Sequence, residues 1–185
     1  ELLRADTLGS LAAALGMVDN VRGADFHTRY LLLALDLGDP VRIARAIALE
    51  AGYLATNGSG GPEQWREMMT RAKELARRTG DARARGLALT VHSTATFLTG
   101  GWRENIEAAA EAERVLTTEC TDVDWEIGNT RVSRAVANLY IGDLKELQTS
   151  VEEQIREASE RGDHYTHTNL RVAAGYLVPL MGNEP

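Results

Sequence analysis

Apolar residues recur along this chain at steps of three and four positions, with polar residues between them. The stretches "PVRIARAIALEAGYLA", "ARARGLALTVHSTATFL" and "DWEIGNTRVSRAVANLY" all show this spacing, and more acidic stretches alternate with them. A step of three to four residues is the period of an amphipathic helix, whereas a strand would alternate strictly. The pattern predicts an all-α protein in which the acidic helices face outward more.

Gly-Asp pairs separate the helical stretches. They stand at residues 38–39, 80–81, 142–143 and 162–163. Glycine takes the left-handed conformation that closes a helix, and an aspartate side chain accepts hydrogen bonds from the free amides that open the next one. Each pair is therefore predicted to join two helices. The "RGD" at 161–163 is interpreted as one of these joints and not as an adhesion motif.

The joints recur with a period of about 41 residues, because Asp81, Asp122 and Asp163 lie at equal intervals. Each period contains two stops, which is the pattern of a helical hairpin. One hairpin cannot bury its apolar face alone, so stacked neighbours must supply the core. We predict one domain over residues 1–185, a TPR-like solenoid or alpha-alpha superhelix. Its hairpins are expected at roughly 2–37, 39–79, 81–118 and 124–161, with a first helix of a further repeat at 163–181.

The two ends of the sequence suggest a longer parent chain. The first residues, "ELLRADTLGS", contain neither an initiator Met nor a secretory signal. The last residues, "GNEP", stand where the partner helix of the final repeat is expected to begin. We therefore expect a further hairpin to follow in the parent protein.

Charge and composition narrow the class of partner. The chain has 27 acidic and 20 basic side chains, a formal net charge of −7, and no cluster of Lys or Arg, which argues against nucleic-acid binding. No apolar run approaches the roughly 20 residues that span a bilayer, so no membrane partner is expected. A single cysteine fits a reducing compartment, and we predict a cytoplasmic location.

Candidate reactive residues are few. His164 and His167 have a spacing that suits two metal ligands, but without a distant fourth ligand we interpret them as surface or hydrogen-bonded histidines. Cys120 is interpreted as a small buried apolar group. No nucleophile, base and orienting group can be assembled, so we predict no enzyme activity, no metal and no cofactor. Three tryptophans are expected to seal one repeat on the next: Trp65, Trp102 and Trp125.

A candidate binding stripe follows from the repeat register. The first helix of each hairpin lines the inner curve in arrays of this type, and equivalent positions on successive first helices form a mixed-charge stripe that would hold an extended peptide or the charged ends of a ligand. Plain solvation, or bonds between neighbouring helices, would explain the same residues. The stripe comprises Arg85, His92, Glu126, Thr130, Ser133, His167 and Arg171.

Two resemblances add to this picture. The segment "FLTGGWRENIEAAAEAERVL" resembles a tetratricopeptide repeat, although the period here exceeds the roughly 34 residues of that family. The segments "VRGADFHTRYLLLALDLGDPVRIARAIALEAGYLA", "ECTDVDWEIGNTR" and "RGDHYTHTNLRV" resemble the C-terminal repeat arrays of bacterial serine/threonine protein kinases that carry a central STAND-type ATPase. This second resemblance spans residues 15–185.

The kinase resemblance implies a parent protein that phosphorylates Ser or Thr and hydrolyses or senses ATP. The chain itself has no G-x-x-x-x-G-K-[ST] phosphate loop and no H-R-D or D-F-G kinase element, so neither activity is assigned to these residues. We expect a non-catalytic, regulatory scaffold that binds a protein or peptide partner, including the kinase and ATPase modules of its own parent. The alternative is a small-molecule inducer sensor, as in similar ATPase-linked transcription activators.

Overall fold

The predicted all-α fold is confirmed. The computed structural model describes residues 1–16, 18–57 and 61–175, and all regular structure in these residues is helical. The helices are α1 (Leu2–Gly16), α2 (Asn20–Leu37), α3 (Pro40–Asn57), α4 (Gly61–Thr79), α5 (Ala82–Leu98), α6 (Trp102–Glu119), α7 (Asp124–Ile141), α8 (Leu144–Glu160) and α9 (His164–Leu170), which runs into a π-helical turn (Arg171–Gly175). The remainder of the helix predicted at 163–181 lies outside the described residues.

The helices form two layers. Each odd-numbered helix packs on the next odd-numbered one, from α1 through α9, and each even-numbered helix packs beside its sequence neighbours. Within the described ranges, no two even-numbered helices have closely spaced backbones, although the side chain of Arg66 on α4 forms an ion pair with Glu104 on α6. Because only the odd-numbered helices are closely spaced, the stack curves toward them, and they form the inner layer. None of the helices described combines the length and apolar character that crossing a bilayer requires.

The Gly-Asp joints have the predicted geometry. The glycines of the four pairs have φ angles of 68° to 80°, in the left-handed region. The aspartates of the four pairs each accept a hydrogen bond from the amide three residues later, at 2.6 to 3.2 Å. The interpretation of "RGD" as a helix joint is thus confirmed, because its aspartate is occupied in capping α9.

The joint between α6 and α7 is built differently from the other joints. Here Val123 precedes the helix and supplies no side-chain cap. Asp122 has a φ of 55°, which Asp and Asn tolerate better than most residues. Its carbonyl accepts a hydrogen bond from Arg83 Nη2 at 3.1 Å. Asp122 therefore marks a turn in the repeat and does not cap a helix.

Small residues let the helices approach closely. The cluster between α3, α4 and α5 contains five buried alanines together with Trp65, which is only 2% exposed, and Met69. A side chain at Gly86 would collide with Leu116 of the neighbouring helix. The packing role predicted for Trp65 is confirmed.

We predict that Asp81→Ala lowers the free energy of unfolding by about 1 kcal/mol, because it removes an N-terminal cap of α5. The Asp81 carboxylate accepts a hydrogen bond from the Ala84 amide at 2.6 Å. Denaturant unfolding followed by circular dichroism measures the loss. The matched control is Asp81→Asn, which caps about as well and should leave stability within a few tenths of a kcal/mol of wild type. Equal losses in both variants would contradict the capping account.

Candidate functional site

An apolar groove crosses the inner layer of helices. It has a volume of about 250 Å³ and is lined by residues of α1, α3, α5 and α7 and the first residue of α2. None of the described side chains that line it carries a charge, although a quarter of the chain is charged. Its apolar wall includes Leu49, Leu87, Val91, Leu98 and Trp125.

Most polar groups in the groove already have partners within the protein. Tyr53 donates its hydroxyl hydrogen to the carbonyl of Ala12 at 3.2 Å, and Thr94 donates to the carbonyl of Thr90 at 3.0 Å. Asn129 donates to the carbonyl of its own helix one turn earlier and accepts from a tyrosine hydroxyl of α9. An occupant of the groove therefore meets a mainly apolar surface, which favours burial of an uncharged group.

Trp125 differs from the prediction that it seals two repeats. Its side chain is 42% exposed and stands at the edge of the groove. Leu98, at the end of α5, is 53% exposed on the same groove. Large apolar side chains that remain accessible beside a concavity are a common feature of binding sites. The aromatic ring that sequence analysis assigned to packing therefore lies in the candidate site.

A buried histidine stands behind the groove. His27 Nε2 lies 2.8 Å from Glu50 Oε2, and the imidazole ring stacks on Tyr53 with ring centroids 5.0 Å apart. The Nδ1 atom is buried and has no hydrogen-bond partner among the described residues. Burial lowers the pKa of His27, although the Glu50 carboxylate opposes this effect. The neutral ring thus supports the tyrosine that lines the groove.

The predicted stripe residues are mostly engaged with other helices. Thr130 is 1% exposed, and its hydroxyl lies 3.3 Å from that of Thr90 on α5. Ser133 is within 3.2 Å of Ser93 and accepts from Asn105 Nδ2 at 3.3 Å. These contacts join α5, α6 and α7, which is the interhelical bonding that the sequence left open as the alternative.

The other members of the stripe differ in accessibility. Arg85 forms an ion pair with Glu119 at the end of α6. Glu126 and His167 are half-buried, and Arg171 is exposed in the π-helical turn. The structure does not place all seven stripe positions on one open surface, since Thr130 is buried. Partner binding by these four residues stays a prediction.

The groove could not be predicted from the sequence, because the sequence does not show which face of α5 is open. Positions 85, 89 and 92 face α6, where Leu89 packs against Ala112 and Val115. The open face carries residues 87, 91, 94 and 98 instead. A shift of two residues turns a side chain by about 200° around a helix. Both faces have helical spacing and small or apolar residues, so periodicity alone could not separate them.

The surroundings of Cys120 do not favour reactivity. Cys120 is half-buried and packs on Leu116, Val123 and Ile127, which agrees with the predicted apolar role but not with full burial, and burial raises the pKa of its thiol. A raised pKa keeps the thiol protonated and weakly nucleophilic. Within the ranges that the structure describes, no three His, Cys, Asp or Glu side chains are grouped to hold a metal ion.

The chain was compared with protein-family models and with curated proteins. Neither comparison finds a match. The resemblance to kinase-linked repeat arrays therefore stays a prediction, and the function is inferred from the site itself.

A second, partly buried histidine, His92, links three helices on the outer side of α5. His92 Nε2 lies 3.0 Å from Glu104 Oε1, and Nδ1 lies 3.4 Å from Lys73 Nζ. Glu104 also accepts hydrogen bonds from Arg66. The pKa of His92 is lowered, first by burial and then by the charge of Lys73, with Glu104 opposing both. The ring therefore favours its neutral form, which donates to Glu104 and accepts from Lys73.

We predict that acid weakens the fold as the pH falls below about 6.5. The folded state holds the pKa of His27 and of His92 below its ordinary value, so the unfolded chain binds more protons as the pH falls. Stability is complete above the ordinary histidine pKa of about 6.5 and declines below it. Urea unfolding at several pH values measures the slope. The double variant His27→Gln, His92→Gln should flatten it, whereas the exposed-site variant His164→Gln should not; an unchanged slope in the double variant contradicts the assignment.

Proposed function

We propose that the chain is a non-catalytic regulatory array that senses a small apolar ligand in its inner groove. The observation that carries this proposal is the uncharged groove of about 250 Å³ across α1, α3, α5 and α7. An apolar cavity of about 150 Å³ already accommodates benzene, so this groove has room for a somewhat larger molecule. Its walls are formed by several hairpins. A bound molecule would therefore contact several hairpins at once and restrict their movement relative to one another.

Regulation would follow from a difference in affinity between two arrangements of the array. A ligand shifts a conformational equilibrium only when it binds one state more tightly. A groove formed by four inner helices changes shape when the curvature of the stack changes. Binding would therefore favour the curvature that fits the ligand. The change in curvature would move the two ends of the array relative to each other.

The resemblance of residues 15–185 to kinase-linked arrays supports a more specific setting. In this setting the array belongs to a bacterial serine/threonine kinase with an ATPase module, located in the cytoplasm. The ligand-bound array would control which arrangement of those modules is populated.

We predict that the neutral dye N-phenyl-1-naphthylamine binds the groove and gains fluorescence, because the lining is apolar and uncharged. Thr94→Glu should reduce binding of the dye at least tenfold, since it places a carboxylate on the exposed groove face of α5. Fluorescence titration measures both affinities. The matched control Thr117→Glu, at an exposed position of α6, should bind the dye as wild type does. Equal binding by Thr94→Glu and wild type would reject the groove as the site.

An interaction scaffold is the second candidate, favoured by an exposed aromatic patch at one end of the inner layer. Tyr140 is 58% exposed and lies between Phe97 and Trp102, with ring centroids 6.3 and 4.9 Å away. Leu144, 42% exposed, follows at the start of α8. Aromatic side chains supply much of the binding energy at protein interfaces.

We predict that Tyr140→Ser reduces capture of a protein partner if the scaffold proposal is right, because truncating a central aromatic residue removes a binding hot spot, at a cost of about 2 kcal/mol or more. Affinity capture with mass spectrometry compares this variant with wild type and with the triple variant Arg85→Ala, Glu126→Ala, Arg171→Ala. Loss only in Tyr140→Ser assigns the partner to the aromatic patch. Loss only in the triple variant assigns it to the predicted stripe, and loss in neither rejects both surfaces.

A further inference from the structure

A polar concavity lies beside the groove, on the same face of three inner helices. This second concavity has a volume of about 540 Å³ and lies toward the N-terminal ends of α3 and α5. Its lining residues precede those of the groove by about one helical turn on each helix, so they point in the same direction. The adjoining pairs are Ser10 and Ala13 on α1, Arg45 and Leu49 on α3, and Arg83 and Leu87 on α5. The two concavities lie end to end along these helices, and we refer to them together as the trough, with a charged end and an apolar end.

The carboxylates at the charged end already have partners. Asp6 accepts two hydrogen bonds from the guanidinium of Arg42, at 3.0 and 2.6 Å. Asp39 accepts from the backbone amide of Arg42 at 2.9 Å, and Asp81 caps α5 through the amide of Ala84. Each acidic group is thus stabilised within the protein and needs no cation from a ligand.

Among the described residues, Arg45 is the charged group of the trough for which no acceptor is present. Its Nε atom is buried, and among the described residues it has no hydrogen-bond partner. No carboxylate of the described chain lies within ion-pair distance of its guanidinium, whereas Arg42 is paired with Asp6. Arg83, the third arginine of the trough, donates to the carbonyl of Asp122. A buried donor of a cationic group that has no acceptor raises the free energy of the folded state, and an anion that accepts its hydrogen bond removes this cost.

We propose that the trough binds a small amphipathic monocarboxylate, with its carboxylate on Arg45 and its apolar chain in the groove. This inference rests on the proposed ligand-binding function of the groove and adds the chemical class of the ligand. A guanidinium forms paired hydrogen bonds with a carboxylate, and one free guanidinium matches one negative charge. Along α3, the distance from Arg45 to Thr56 at the far end of the groove is about 16 Å, which suits a chain of medium length.

The inference is tested with octanoate and octanamide, which have the same chain and differ in the charge of the head group. We expect octanoate to displace N-phenyl-1-naphthylamine at concentrations roughly tenfold or more below those of octanamide, because hydrogen bonds to a charged group are stronger. Lengthening the chain from hexanoate to octanoate should raise affinity about fourfold per methylene. Calorimetry with octanoate checks the same affinities without the dye.

The variant Arg45→Gln should bring octanoate down to the affinity of octanamide and leave dye binding unchanged. The matched control is Arg71→Gln, which removes an arginine on the outer helix α4, 73% exposed, and should keep the preference for octanoate. The comparison of the two ligands on the wild-type protein stands by itself if Arg45→Gln does not fold.

The outcomes separate the two proposals. Equal affinity of octanoate and octanamide, with both blocked by Thr94→Glu, overturns the role of Arg45 but keeps the groove as a site. A preference for octanoate that persists in Arg45→Gln also overturns it. Binding of the dye without any displacement by the carboxylates, together with no calorimetric binding, rejects the monocarboxylate alone. No binding of dye, octanoate or octanamide rejects both proposals.

Discussion

Close contact between the inner helices is the constraint on which the rest of the structure depends. The neighbours α3, α5 and α7 meet through alanines, glycines and short hydroxyl side chains rather than through large apolar ones. Two pairs of hydroxyls, Thr90 with Thr130 and Ser93 with Ser133, lie between α5 and α7 at about hydrogen-bond distance. Short side chains let the backbones approach, and the paired hydroxyls satisfy one another where water is excluded. The curvature of the stack, and with it the groove, follows from this spacing.

The ion pairs add a second set of ties between hairpins. Arg131 on α7 contacts Glu113 on α6 at 2.7 Å and Glu157 on α8 at 2.8 Å, and its side chain is 11% exposed. Arg134 adds a contact to the same Glu113. Partly buried pairs of this kind specify which surfaces meet more than they add to stability. They tie α6 and α8 to α7, whereas the hydroxyl pairs tie α5 to α7.

The sequence was sufficient to predict the helices and most of the joints, but not the site. At the Gly-Asp pairs, local chemistry decides the structure, because a left-handed glycine and a capping aspartate act within a few residues of each other. The groove depends on which face of α5 turns toward α6, and this is decided by packing with residues far along the chain. Thr94 and Thr130 illustrate the difference: both are threonines on inner helices, yet one is exposed in the groove and the other is buried between helices. Arg45 could not be singled out either, since its lack of a partner depends on where all the neighbouring acids go.

The separation of the outer helices has a mechanical consequence. The backbones of the described even-numbered helices do not approach one another closely, and the ion pair between Arg66 of α4 and Glu104 of α6 is exposed, so the outer side offers little resistance to a change in their spacing. The array is therefore held together mainly along its inner side. A molecule bound between the inner helices changes their spacing. A small change in spacing there adds up to a larger displacement at the ends of the stack. The stiffness of the whole chain, and the distance between its two ends, then depend on a few side chains at its centre.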